Sequence, residues 1–252
     1  MASWPLFVVA GALIGGLLGV FGVGGSSIAT PVLSLMGVAP LQAIASSLPA
    51  TVPAALLAAV PYLRDRASRP RAAGWSLVGG VPATVVGALL SRVVGGNALL
   101  VVSGFVLVIV GQRVLRPTGQ AARDAGTARR KNRPLLVAAA AAAGLFTGLL
   151  ANGGGFLLVP MYLLVFGLGM REAVGTSLLV IAVLTVPTLA THWALGHIDW
   201  GVAGAFALGA VPASAVSGRL ARRVGGETVR RAFGGLLIIC GVAFVMFRLT
   251  GV

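Results

Sequence analysis

"GVFGVGGSSIATP", residues 19–31, breaks an apolar run with four glycines and closes on proline. "GLLANGGGFLLVP", residues 148–160, repeats the layout 129 residues later. The arm after the first break, Ser26–Gly37, has 12 residues, about 18 Å as a helix. That is too short to cross about 30 Å of hydrocarbon, so the glycine turn is expected inside a membrane. Irregular backbone survives there only when buried in protein or lining a wet cavity. Glycine permits the turn and lets other chain segments approach closely. Pro31 and Pro160 leave carbonyls of the preceding turn unpaired.

Composition fixes the medium. The chain has 252 residues, is 58% hydrophobic and only 10% charged, and its mean hydropathy is +1.00. Soluble domains carry about 25% charged residues, and this much polar surface cannot cover a water-soluble globule. Apolar runs of spanning length recur at 5–22, 42–63, 72–91, 97–115, 134–152, 172–195, 200–218 and 232–249, with shorter arms at 26–36 and 155–168. The alternation of an outer-membrane barrel is missing from them. An all-α integral protein of the inner membrane is expected. The start, "MASWPLFVVAGALIGG", has no basic n-region and reads as a retained helix. Cys240 alone forms no disulfide framework and reads as a small core side chain. The 19 basic residues, for a net charge of +14, fall almost wholly between apolar runs. Topology and anionic lipid account for them there, and no nucleic acid partner is expected.

The halves are one unit written twice. At an offset of 130, Gly37 falls on Gly167, "ASSL" (45–48) on "GTSL" (175–178), "VPA" (81–83) on "VPA" (211–213), and Gly104 and Gly111 on Gly234 and Gly241. Ahead of Gly37 the offset is 129, pairing Gly15, Gly19, Gly24, Gly25 and Pro31 with Gly144, Gly148, Gly153, Gly154 and Pro160. The expected organisation is a first membrane repeat at 1–112, a basic cytoplasmic linker at 113–133 and a second repeat at 134–252.

Charge predicts the hand of the duplication. Four arginines at 64–71 have no basic counterpart at 194–201, whereas one near 92 corresponds to five at 219–231. A bias that changes loops between copies is expected of inverted repeats. If each broken segment is a hairpin, the loops at 64–71, 113–133 and 219–231 with Arg171 put 17 basic residues in the cytoplasm, leaving Arg92 and Arg248 outside. An odd number of crossings gives 12 against 7. Each repeat is therefore expected to be a Gly-broken hairpin plus three transmembrane helices, with both termini outside the cytoplasm. Trp4, Trp75, Trp193 and Trp200 lie near the span ends and read as interface anchors.

A helix that starts at mid-membrane presents free N–H groups and the positive end of its dipole, which suits an anion. Here such starts fall at Gly24, Gly25, Ser26 and Ser27, and at Asn152, Gly153, Gly154 and Gly155. Ser46, Ser47, Thr51, Thr176 and Ser177 put hydroxyls at matching places on the following spans. Tight helix packing is the competing account of the same small residues. No Asp or Glu lies in the middle of a span, which disfavours carboxylate-based sodium sites, carboxylate proton relays and cationic substrates. His192 is the one ionisable side chain read as well inside a span, so it is the candidate for coupling to a proton. His197 and Asp199 read as loop residues. With two histidines, one cysteine and no paired acids, no metal centre or two-carboxylate active site can be assembled, and no cofactor is expected. "GVGGSS" lacks the G-K-[ST] ending of a P-loop, so the chain does not read as an enzyme.

"GVGGSSIATPVL", its second copy "GLLANGGGFLLVPMY", and the "AIASSL" and "AVGTSL" blocks resemble the TauE/SafE sulfite-exporter family of membrane permeases over nearly the whole chain. Ser26 stands where the second copy has Gly155. The resemblance implies a secondary transporter for small sulfur-containing anions such as sulfite, organosulfonates or thiosulfate, driven by an ion gradient rather than ATP. With the residues, it points to alternating access between the halves, with the anion held by the two turns and by Ser47, Thr51 and Ser177. A passive anion channel and a non-transporting membrane scaffold stay open as other readings. Its partners would be a small anion, the lipid bilayer and a coupling proton, and a homo-oligomer is compatible with all of this.

Overall fold

The structure is a computed structural model that describes residues 4–90, 96–116, 134, 137, 138, 140–142, 144, 145 and 155–249. It is all helical, with no strand among the described residues. The helices are α1 (Trp4–Phe21), α2 (Ser26–Leu35), α3 (Pro40–Arg64), α4 (Pro70–Leu90) and α5 (Gly96–Leu115), then α6 (Gly155–Pro160), which runs into a π-helical turn at Met161–Val165. After these come α7 (Met170–Ala194), α8 (Trp200–Ala221) and α9 (Gly226–Leu249). Residues 134, 137, 138, 140–142, 144 and 145 are also helical. Starts recur at the sequence offsets: α3, α4 and α5 begin 130 residues before α7, α8 and α9, and α2 begins 129 before α6. Among the described residues, four helices (α1, Leu41–Arg64 of α3, α7 and α8) are long and apolar enough to cross a membrane. Leu13, Leu35, Leu208 and Ile239 are among the large apolar side chains turned outward.

Small residues bring backbones into contact. A Cβ on Gly209 would lie 2.0 Å from the Val8 carbonyl oxygen, and one on Gly15 would lie 2.2 Å from that of Ala210. Gly11 meets Phe206 and Gly19 meets Ser214 in the same way, so α1 and α8 run side by side in one direction. Helices in lipid associate through such small-residue faces. The contact occurs twice: a Cβ on Gly79 would lie 2.3 Å from the Val137 oxygen, and one on Gly144 would lie 2.5 Å from that of Gly80. Val8 and Val137 are related by the offset of 129, and Gly79 and Gly209 by 130. The opening helix of each half thus lies on the other half's α4 or α8.

A second reciprocal pair orders the centre. Ser46, near the start of α3, accepts a hydrogen bond from the Asp199 N–H (3.0 Å), just past the end of α7. Thr176, near the start of α7, accepts one from the Arg69 N–H (3.1 Å), just past the end of α3. Helices α3 and α7 therefore run antiparallel.

The two ends of the bundle differ chemically. At one, Arg69 pairs with Glu172, Arg222 with Asp65, and Arg230 and Arg231 with Glu227. Glu227 lies in the first turn of α9, ahead of its apolar stretch, and hydrogen bonds from Arg230 and Arg231 pull its carboxyl down to about 2. Arg171 donates to the Arg222 carbonyl (2.6 Å) at the end of α8. The other end gathers Trp193 and Trp200, stacked edge to face at 6.1 Å, with His192 and His197.

His192 is not well inside a span. It lies in the last turn of α7, which stops at Ala194 because Gly196 adopts a left-handed φ of +68°. The His197 N–H then closes the helix on the His192 carbonyl at 3.1 Å, a glycine-dependent helix stop. His197 and Asp199 are in the loop as expected, and Asp199 caps α8 by accepting from the Gly201 and Val202 N–H groups.

Candidate functional site

The first glycine turn is buried at the centre of the molecule. α1 ends at Phe21; Gly22 turns the chain at φ +64°, and α2 starts at Ser26 behind Gly25. A Cβ on Gly25 would lie 3.4 Å from Ile14 and 3.7 Å from Thr51 Oγ1. Thr51 is the twelfth of the 25 residues of α3, so the break falls at mid-span, as the length of the second arm demands. From there the ten residues of α2 return about 15 Å toward the start of α3.

Both halves contribute hydroxyls to this turn. On the α7 side, Ser177 Oγ is 3.1 Å from the Gly22 carbonyl oxygen and 2.9 Å from that of Val174. On the α3 side, Thr51 donates to the Ser47 carbonyl and Ser47 to that of Ile44, each at 2.9 Å. All three side chains are buried. Their protons already serve backbone carbonyls, the usual habit of such hydroxyls within helices. The donors left over are backbone N–H groups: the first turn of a helix has no intrahelical acceptors for them, and Gly25 supplies no side-chain cap.

A cavity of about 10 Å³, room for about one water molecule, lies against this start, lined by Ile14, Gly15, Leu18, Thr51 and Phe206 among others. No charged residue lines it among those described. Gly24 and Gly25 are buried beside it, and of Ser26 and Ser27 only the backbone is described.

Other expected site residues lie elsewhere or out of view. Asn152, Gly153 and Gly154 fall outside the described residues, while Gly155 opens α6. Phe156, Leu158 and Val159 of α6 share one buried apolar cluster with Leu18, Phe21 and Val23 around the first turn. Thr176 is fully buried and occupied: it accepts from Arg69 and donates to the Glu172 carbonyl at 2.6 Å. His192 is 15 residues beyond Ser177 on α7, about 22 Å along the axis. Its Nδ1 is 3.3 Å from that of His197, so one ring holds the proton that the other accepts.

Sequence reasoning overlooked Tyr62 and Tyr162. Tyr62 is buried and donates to the Gly19 carbonyl at 3.2 Å, bracing α1 just before the break. Tyr162, in the π-helical turn, donates to Ser76 Oγ at 2.7 Å. A phenol in an apolar span needs a partner, and that was the available signal.

The sulfite exporter TauE/SafE family matches residues 7–244. The chain belongs to this family. It is also 29% identical, over 113 residues, to the "Probable membrane transporter protein YunE" of Bacillus subtilis (strain 168). That match takes in 43% of this chain and 40% of the relative. No solved structure matches. The family and the helical spans make the chain a multi-pass membrane protein.

Proposed function

We propose that this member of the TauE/SafE family is a secondary transporter that moves a small sulfur-containing anion (sulfite, an organosulfonate or thiosulfate) by alternating access between two inverted halves. One observation carries the reading. A helix start, whose first N–H groups have no acceptor within the helix, sits at mid-span on a turn flanked by Thr51 of one half and Ser177 of the other. The positive end of α2's dipole favours an anion. Because the donors are neutral, the site can release its cargo without stranding a buried charge. The second turn, at Asn152, Gly153, Gly154 and Gly155, would complete the site from the other half.

Inversion is supported by the antiparallel α3 and α7 and by the reciprocal contacts at offsets of 129 and 130. Charge supports the orientation: the arginine-rich end faces the cytoplasm, both termini lie outside it, and 113–133 is a cytoplasmic linker between the repeats. In this scheme His192 is the candidate proton carrier, at the far end from the arginines.

The test is a thermal-unfolding screen of the purified protein against sulfite, thiosulfate, alkyl sulfonates, sulfate and phosphate. A ligand that binds only the native state at 100 times its Kd adds about 2.7 kcal/mol. A sulfur anion should raise Tm more than phosphate at equal ionic strength. If none of them shifts the transition, the anion reading falls.

A further inference from the structure

The two ends of the bundle are not closed alike. At the arginine-rich end, two ion pairs join the halves. Arg69, ahead of α4, binds Glu172 of α7, with Nε 3.0 Å from Oε1. Arg222, past α8, donates from Nη1 to both oxygens of Asp65, past α3, at 2.9 Å each. Beneath them Tyr62 is wedged against Gly175 of α7, where an added Cβ would lie 2.8 Å from the tyrosine's own. Ser68 is buried beside the same glycine.

The offset of 130 names the corresponding residues at the other end. Glu172 corresponds to Gln42, Arg69 to Asp199, Asp65 to Leu195, and Tyr62 to His192. Gln42 with Asp199 makes no ion pair, and Leu195 cannot make one at all. Asp199 is instead occupied in capping α8, and His192 turns to His197 rather than wedging between helices. What the duplication made equal, the side chains have made unequal.

We infer that the Arg69–Glu172 and Asp65–Arg222 pairs are a latch that holds the arginine-rich end shut, so that the unloaded protein rests open to the opposite side. The inference rests on the alternating-access reading above. The pairs are partly exposed, and each exposed pair biases an equilibrium roughly two- to five-fold. That makes a latch that a bound anion can overcome, not a lock.

The test uses full-length Cys240→Ala protein in vesicles, with a single thiol at Ser68→Cys (arginine end) or Ile198→Cys (opposite end, also buried), and a membrane-impermeant maleimide. Glu172→Gln and Asp65→Asn should each speed labelling at position 68 about two- to five-fold, and together more. Labelling at position 198 should slow in step. The charge-swapped double variant Arg69→Glu with Glu172→Arg should restore slow labelling at 68, which general loosening of the fold would not do. Unchanged labelling at 68 in the neutralised variants, or failure of the swap to restore it, overturns the latch and leaves alternating access standing. Faster labelling at 68 with no change at 198 keeps the latch and overturns alternating access.

Discussion

Gly25→Ala separates a binding role for the first turn from a packing role. Gly25 has φ −58° and ψ −31°, a conformation alanine adopts freely. The added methyl would make only ordinary contacts, 3.4 Å to Ile14 and 3.7 Å to Thr51 Oγ1. Folding should be unharmed: Gly to Ala at a compatible site stabilises by about 0.4–1 kcal/mol. The methyl would, however, project into the 10 Å³ cavity between α2's first turn and Thr51, where the anion is expected. A one-carbon change in a pocket is worth about 1–3 kcal/mol, so uptake kcat/KM should fall roughly 10- to 200-fold. Gly22→Ala is the contrasting variant. Its φ is +64° and its Cβ would sit 2.5 Å from Ser177 Oγ, so left-handed strain of about 1–2 kcal/mol adds to overpacking of about 1–3 kcal/mol. Size-exclusion and thermal unfolding in detergent, with anion uptake into proteoliposomes, read both effects. An aggregated Gly25→Ala protein would make the glycine a packing device. A folded variant with wild-type uptake would place the anion's path elsewhere.

Gly209→Ala, which drives a methyl to 2.0 Å from the Val8 oxygen, should cost about 1–3 kcal/mol or more, whereas Gly204→Ala, with open space around it, should leave Tm within about 2 °C; thermal unfolding compares them. Reporter fusions should place both termini outside the cytoplasm, and a cytoplasmic C-terminus would reverse the assigned orientation. His192→Gln should flatten the pH dependence of uptake between about pH 5 and 8, where histidine titrates; a pH profile identical to wild type would remove His192 from coupling.

The helices were legible because hydropathy and glycine spacing act locally. Offsets of 129 and 130 residues, read from letters alone, reappear in the starts of α2 to α9. The position of the first break was legible too, since a 12-residue arm cannot span hydrocarbon. Side-chain roles were less legible, because a hydroxyl's partner is chosen in three dimensions. The "ASSL" and "GTSL" blocks mix two functions: Ser46 and Thr176 receive N–H groups from the opposite half, while the next residue in the second block, Ser177, reaches the first glycine turn. His192 was placed too deep because a hydropathy window measures a run and not its end. "ALGH" held the correction, for Gly196 past the last turn is a helix stop. The first copy makes the same turn without glycine: Arg66, 130 residues earlier, holds φ +52°, and Ala67 donates to the Tyr62 carbonyl at 2.9 Å.

The exchange of opening helices between halves also governs how the chain is made. α1 leaves the ribosome well before α8, yet the surface that covers its glycine face lies on α8, some 195 residues later for Gly11 and Phe206. At about 5–20 residues per second, that face waits about 10–40 s for its partner. α2 and α3 cover part of α1 within its own half, but the first half by itself leaves the glycine face of α1 without the α8 surface that closes on it.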